Sequence, residues 1–126
     1  MSYGRVQLAA TLVFFAAAQP AVAEQKAGPS AGQTIYDRDC ATCHGPGGKG
    51  DGEQAIYVTP QPQDFTTGIL DKRSDEFLTA VIAKGGQASG LADSMPPFPK
   101  LSKTELQGLV TYIRQLSKRP SGQKAK

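Results

Sequence analysis

The chain has 126 residues, 39% of them hydrophobic and 20% charged, with two cysteines, one histidine and two methionines. Two cysteines allow one disulfide at most, which excludes a disulfide-dense secreted scaffold, and one histidine excludes any site built on two imidazoles. The formal charge of +3 gathers in a basic tail (Lys118, Arg119, Lys124, Lys126) rather than on a folded face with interleaved aromatics, so nucleic acid is not an expected partner.

Residues 1–23 read as a cleavable signal peptide. Arg5 precedes an apolar stretch from Leu8 to Ala18, Gln19-Pro20 breaks it, and Ala21-Val22-Ala23 fits the small-residue cleavage pattern. The stretch is too short for a stable membrane anchor, with an uncleaved signal anchor as the alternative. Export predicts a periplasmic protein. Removing 23 of 126 residues leaves 103, one small domain whose modest core calls for a metal, a cofactor or a disulfide.

Residues 24–29 are a polar, flexible lead-in. A first helix starts at Ser30, where Ser30 and Gln33 have capping-box spacing, and runs to about Ala41. Residues 45–52 carry five glycines in eight positions and exclude a regular element. Residues 57–68, with Pro60 and Pro62, read as an extended loop. A second helix fits Ser74 to Lys84: Ser74 caps it, Asp75 and Glu76 suit its dipole, and Gly85 stops it. Loop returns over 85–100.

The last helix opens on a Ser102/Glu105 capping box and repeats Leu106, Leu109, Val110, Ile113 and Leu116 on one face. Arg114, Lys118 and Arg119 suit its C-terminal end, and Pro120 follows. No stretch alternates as a strand would. The expected fold is all-α, three main helices joined by long loops over 30–118, with a basic disordered tail at 119–126.

Both cysteines and the histidine fall in Cys40-Ala-Thr-Cys43-His44, the c-type haem attachment signature. Cysteines three apart reach the two vinyl groups on one porphyrin edge, and the adjacent histidine turns beneath the ring to bind iron. Three other readings compete: a thioredoxin-like redox pair, which wants a strand context; a zinc site, which wants a further ligand pair; and a structural disulfide with an incidental histidine.

This segment is followed by His44-Gly45-x-x-Gly48-x-Gly50-Asp51-Gly52, then Pro60-x-Pro62-x-Asp64-Phe65, then Met95-Pro96-Pro97-Phe98 before the final helix. With these motifs the chain resembles the class I monohaem cytochromes c, particularly the compact bacterial type also found in oxidase-associated cytochromes. The resemblance covers about residues 30–118. It implies a cytochrome c fold, one haem c bonded to Cys40 and Cys43, and iron held by His44. Met95 is the sixth ligand indicated by the resemblance and by the lack of a second histidine, with a lysine, water or open position as the alternatives. It also implies that the first and last helices cross, with Gly32 and Tyr36 meeting Leu109 and Tyr112.

In the family a backbone carbonyl just after the Gly-Asp-Gly turn, commonly from proline, fixes the histidine ring. Glu53 stands there instead, so the acceptor is unassigned. Phe65 and Phe98 serve equally as crevice lining or core. Lys72 and Arg73 read as a solvated pair, with a haem propionate as the alternative partner. The function implied is a monomeric carrier passing single electrons between redox proteins such as a dehydrogenase, an oxidase or another cytochrome. The alternatives are a dedicated electron-accepting subunit of such a complex and a haem-based ligand binder or peroxidase-like enzyme.

Overall fold

The computed structural model describes residues 30–119 and the isolated Met1. The leader beyond Met1, the lead-in at 24–29 and all of the tail beyond Arg119 lie outside the described residues. Four α-helical segments follow in order: α1 (Ala31–Asp39), α2 (Ala41–His44), α3 (Asp75–Lys84) and α4 (Lys103–Ser117). Among the described residues there is no strand, and no helix is long and apolar enough to cross a membrane.

The helix starts sit where the capping residues put them. Ser30 accepts the Gln33 amide and Ser74 the Phe77 amide, while Ser102 and Glu105 exchange both bonds of a capping box. The Ser30–Gln33 pair forms only the Ser30 half of the expected box. The first helix also differs at its end. It stops at Asp39, and Cys40, with φ −115° and ψ −37°, turns the chain into the separate α2. The long loops hold short 3₁₀ turns at Ala55–Tyr57, Phe65–Thr67, Ile69–Lys72 and Gln87–Ser89. The third ends on Arg73, which is exposed as Lys72 is and also borders the cleft described below.

The core is made where α4 lays Leu106, Leu109, Val110, Tyr112, Ile113 and Leu116 against α1 and α3. At the α1–α4 crossing, Gly32 lies against the backbone of Gly108, so closely that a Cβ on Gly32 would overlap the Gly108 carbonyl. Four residues on, the Tyr36 and Tyr112 rings meet edge to face with centroids 5.3 Å apart. Such a pair adds roughly 0.5–1.5 kcal/mol beyond its buried area.

Arg114 does more than face the α4 dipole. Its guanidinium donates to the carbonyls of Leu70 (2.6 Å) and Arg73 and to the Asp75 carboxylate (3.0 Å). One side chain thereby fastens the turn at Ile69–Lys72 and the start of α3 to α4.

The crossing is asymmetric. A Cβ on Gly108 would meet Gly32 only at 3.6 Å, an ordinary contact. Gly32→Ala is expected to lose about 1–3 kcal/mol through overpacking. Gly108→Ala is expected to gain up to about 1 kcal/mol from helix propensity. Denaturant midpoints of the two variants check both, and equal midpoints would contradict the crossing.

Candidate functional site

Between the α1–α2 junction, the 3₁₀ turns around Phe65 and Ile69, and α3 with the loop after it, the fold leaves a cleft partly open to solvent. Its walls are apolar: Phe65, Phe77, Leu78, Val81 and Ile82 lie inside, and the partly exposed Ile69 and Leu91 stand at the edge.

Three of the four residues singled out by sequence line this one cleft: Cys40, His44 and Met95. Cys43 does not line it but sits half-buried on α2, one turn beyond Cys40, its amide donating to the Cys40 carbonyl at 3.1 Å. Both thiols are free. Burial, helped by the neighbouring Asp39 and Cys43 charges, pushes the Cys40 thiol up to about 12. That is the reverse of the lowered thiol of a thioredoxin-like pair.

His44 is held from two sides. Its ring stacks on Phe65, with centroids 4.6 Å apart and planes 21° from parallel, and its Nδ1 faces the Gln63 carbonyl at 3.4 Å. Gln63 is the acceptor left unassigned from the sequence, and it stands well beyond Glu53. No side-chain signal marks it, because the contact is made by a peptide oxygen on the stretch bracketed by Pro62 and Asp64. Burial lowers the His44 pKa, against the opposing effect of the Gln63 carbonyl, which favours the neutral imidazole that metals require.

The chain leaves His44 through Gly45, at φ +75°, where any Cβ would also run into Asp51. The Tyr36 hydroxyl donates to the Gly45 carbonyl at 2.7 Å, so α1 clamps the turn that presents the histidine.

Met95 is placed by backbone. Its carbonyl accepts the Gly86 amide (3.0 Å), and the Phe98 amide donates to the Ile82 carbonyl (2.9 Å), pinning the loop to the end of α3. Phe98 lines the cleft, and Phe65 both lines it and belongs to the core. Of the charged pair, only Arg73 reaches the cleft, with its guanidinium 4.7 Å over the Phe77 ring. Lys72 is exposed. Ile69, Phe77 and Leu91 carry no mark in the sequence, because apolar residues in loops and helix starts do not announce which surface they face.

Tyr36 is fully buried, and desolvation, reinforced by nearby acidic groups, raises its pKa well above the phenol value. A folded-state pKa above the unfolded value of about 10 means stability that is whole below that pH and lost as pH rises through it. Tyr36→Phe is expected to cost about 0.5–1.5 kcal/mol at neutral pH for the Gly45 bond. It should also flatten the alkaline loss of stability. Denaturation curves at pH 7 and above pH 10 read both effects, and an alkaline slope unchanged in the variant would refute this role.

Residues 29–117 match the Cytochrome c family. The chain is 27% identical over 84 residues to cytochrome c oxidase subunit 2 of Alkalihalophilus pseudofirmus, an alignment covering 67% of this chain and 24% of that subunit. Among solved structures it is similar to a chain of the Kuenenia stuttgartiensis reducing HAO-like protein complex, with a TM-score of 0.59 and 28% identity over 68% of this chain and 41% of that one. It thus spans about a quarter of the first relative and about two-fifths of the second. With a family match running through all four helices and a Cys-x-x-Cys-His segment at the wall of an apolar cleft, the chain belongs to the cytochrome c family, whose haem serves electron transfer.

Proposed function

We propose that the chain is an exported, periplasmic carrier of single electrons, in which Cys40 and Cys43 would bond one haem c and His44 and Met95 would hold its iron. The observation that carries this reading is the convergence of Cys40, His44 and Met95 on one apolar cleft. The donors suit the group: a neutral imidazole, a soft thioether, and two free thiols spaced for the two vinyl positions. When bound, the haem supplies a one-electron iron couple.

The chain's own residues set the conditions for that couple. The Gln63 carbonyl is placed to accept a hydrogen bond from Nδ1–H of His44, which would leave Nε2 free to hold iron and fix the ring. Phe65 stacked on His44 keeps the imidazole from rotating. The pinned loop offers the Met95 thioether, which favours the ferrous state more than a second imidazole would and so raises the potential. With His44 and Met95 both holding the iron, no position would be left for a substrate, which favours electron transfer over oxygen or peroxide chemistry. Apolar walls limit water at the iron, and the open side of the cleft is the route for electrons to redox partners. Export rests on the leader at residues 1–23.

A second reading has one observation in its favour. The match to only 24% of an oxidase subunit shows this kind of domain as a module within a larger redox protein, so the chain would serve as a dedicated electron-accepting subunit. Co-purification with a large enzyme separates this from a free monomeric carrier.

Met95→Ala is expected to abolish the sulfur-to-iron charge-transfer absorption, lower the reduction potential and let carbon monoxide bind the ferrous form, which the unaltered protein is expected to resist. A visible spectrum unchanged by the substitution would sink the ligand assignment. Cys40→Ala with Cys43→Ala is expected to yield a chain that neither retains haem nor folds stably, read by haem stain and circular dichroism. A cooperatively folded double variant would show that the core does not depend on the group.

A further inference from the structure

Four large hydrophobic side chains stand exposed between Ser30 and Arg119: Ile56, Tyr57, Ile69 and Leu91. Ile69 and Leu91 border the cleft, so a group seated there would cover them. Ile56 and Tyr57 do not line it, and at 73% and 74% exposure they are the barest of the four. A single exposed apolar residue is ordinary on a protein surface, but a neighbouring pair on a fixed turn offers a contact surface. We propose that the turn Ala55–Tyr57 is a docking face for a redox partner protein whose own contact surface is apolar and bordered by basic side chains. This rests on the reading that the chain carries electrons on haem.

The turn is held rigidly. Ala55 is buried beneath the pair, and its amide donates to the Gly52 carbonyl at 2.9 Å. The Gln54 amide donates to the Thr42 carbonyl (2.8 Å) and the Gly52 amide to the Cys43 carbonyl (3.1 Å). A Cβ on Gly52 would overlap the carbonyls of Ala41 and Thr42, so the backbone before the turn lies directly on α2. A surface fixed in advance loses little freedom on binding. A partner seated on it also stands beside the segment that would carry haem.

Charge and size decide the kind of partner. From Gly50 to Asp71 the sequence has Asp51, Glu53, Asp64 and Asp71 but no lysine or arginine. Asp64 is engaged with Thr66. Asp51 and Glu53, just before the turn, are exposed and enter neither ion pair of the described residues. Acids beside an apolar pair favour a basic rim opposite and disfavour an anionic lipid surface. Two side chains and an acidic flank fall well short of the ~800 Å² per partner of a stable interface, which suits the brief encounters of electron carriers rather than a permanent dimer.

The test uses two inorganic oxidants of opposite chemistry on the reduced, haem-loaded protein in stopped flow. Tris(phenanthroline)cobalt(III) is cationic with apolar aromatic faces, and hexacyanoferrate(III) is anionic and hydrophilic; each takes one electron from the ferrous protein. Ile56→Ser with Tyr57→Ser is expected to slow oxidation by the cobalt complex about fivefold, leaving the hexacyanoferrate rate and the visible spectrum unchanged. Glu53→Lys is expected to slow the cobalt reaction and weaken its salt dependence. Glu76→Lys, the same charge change at the start of α3, is expected to do less.

An unmoved cobalt rate in the double variant overturns the proposal, as does equal slowing with both oxidants. Equal slowing by Glu53→Lys and Glu76→Lys also overturns it, since only bulk charge would be at work. Should the double variant fail to take up haem, Glu53→Lys decides against Glu76→Lys in the same way. A dimer in sedimentation velocity, or binding to phosphatidylcholine vesicles, that the double variant abolishes assigns the face to a second copy or to lipid and overturns the partner proposed. An unaltered protein without haem absorption overturns the reading of the cleft and the docking role together. Normal absorption with unmoved rates fails the docking face alone.

Discussion

At the crossing of α1 and α4 the two backbones approach until Gly32 has the Gly108 carbonyl beside it, and the near wall of the cleft takes its position from that contact. Because the helices meet on peptide groups, Tyr36 falls wholly inside the crossing, its ring against Tyr112 and its hydroxyl on the Gly45 carbonyl. The same helix ends at Asp39 and hands the chain to Cys40 and α2. The attachment segment therefore has little freedom of its own. It hangs from a helix fixed at one end by a glycine contact and clamped at the other by a buried phenol.

The far wall is built by different means. Arg114 directs its donors to two carbonyls and one carboxylate, gathering the turn at Ile69–Lys72 and the start of α3 onto α4. A partly exposed ion pair alone contributes little, but the carbonyl bonds give this one a defined geometry. Helix α4 thus holds both sides of the cleft, through a close backbone approach on one side and a charged side chain on the other. Its apolar face of Leu109, Ile113 and Leu116 fills the space between.

Much of this is legible in the amino-acid sequence because it depends on local chemistry. Ser30, Ser74 and Ser102 mark helix starts, since a side-chain oxygen satisfying an orphan amide acts within three residues. Cys40, Cys43, His44 and Met95 stand out because so few residues of those types exist. What stays hidden acts across the chain or through the backbone. The Gln63 carbonyl meets a ring 19 residues away. The reach of Arg114 to Leu70 and Arg73 depends on tertiary placement, as does the separation of Arg73 from Lys72. Gly108 does leave a trace, since glycine inside a strong helix costs about 1 kcal/mol and invites a packing reason. The break at Cys40 leaves none.

The frame around Met95 is written in peptide groups. The Gly86 carbonyl receives the amides of Ser89 and Leu91, the Ala92 carbonyl receives that of Met95, and the Met95 carbonyl closes the circuit back to the Gly86 amide. The intervening side chains take no part in these bonds. The spacing from Gly86 to Met95 is therefore what the loop must conserve, while Gln87, Ala88 and Asp93 are free to vary. Rim chemistry can vary without disturbing Met95 on the cleft wall, whereas one inserted residue would unseat it.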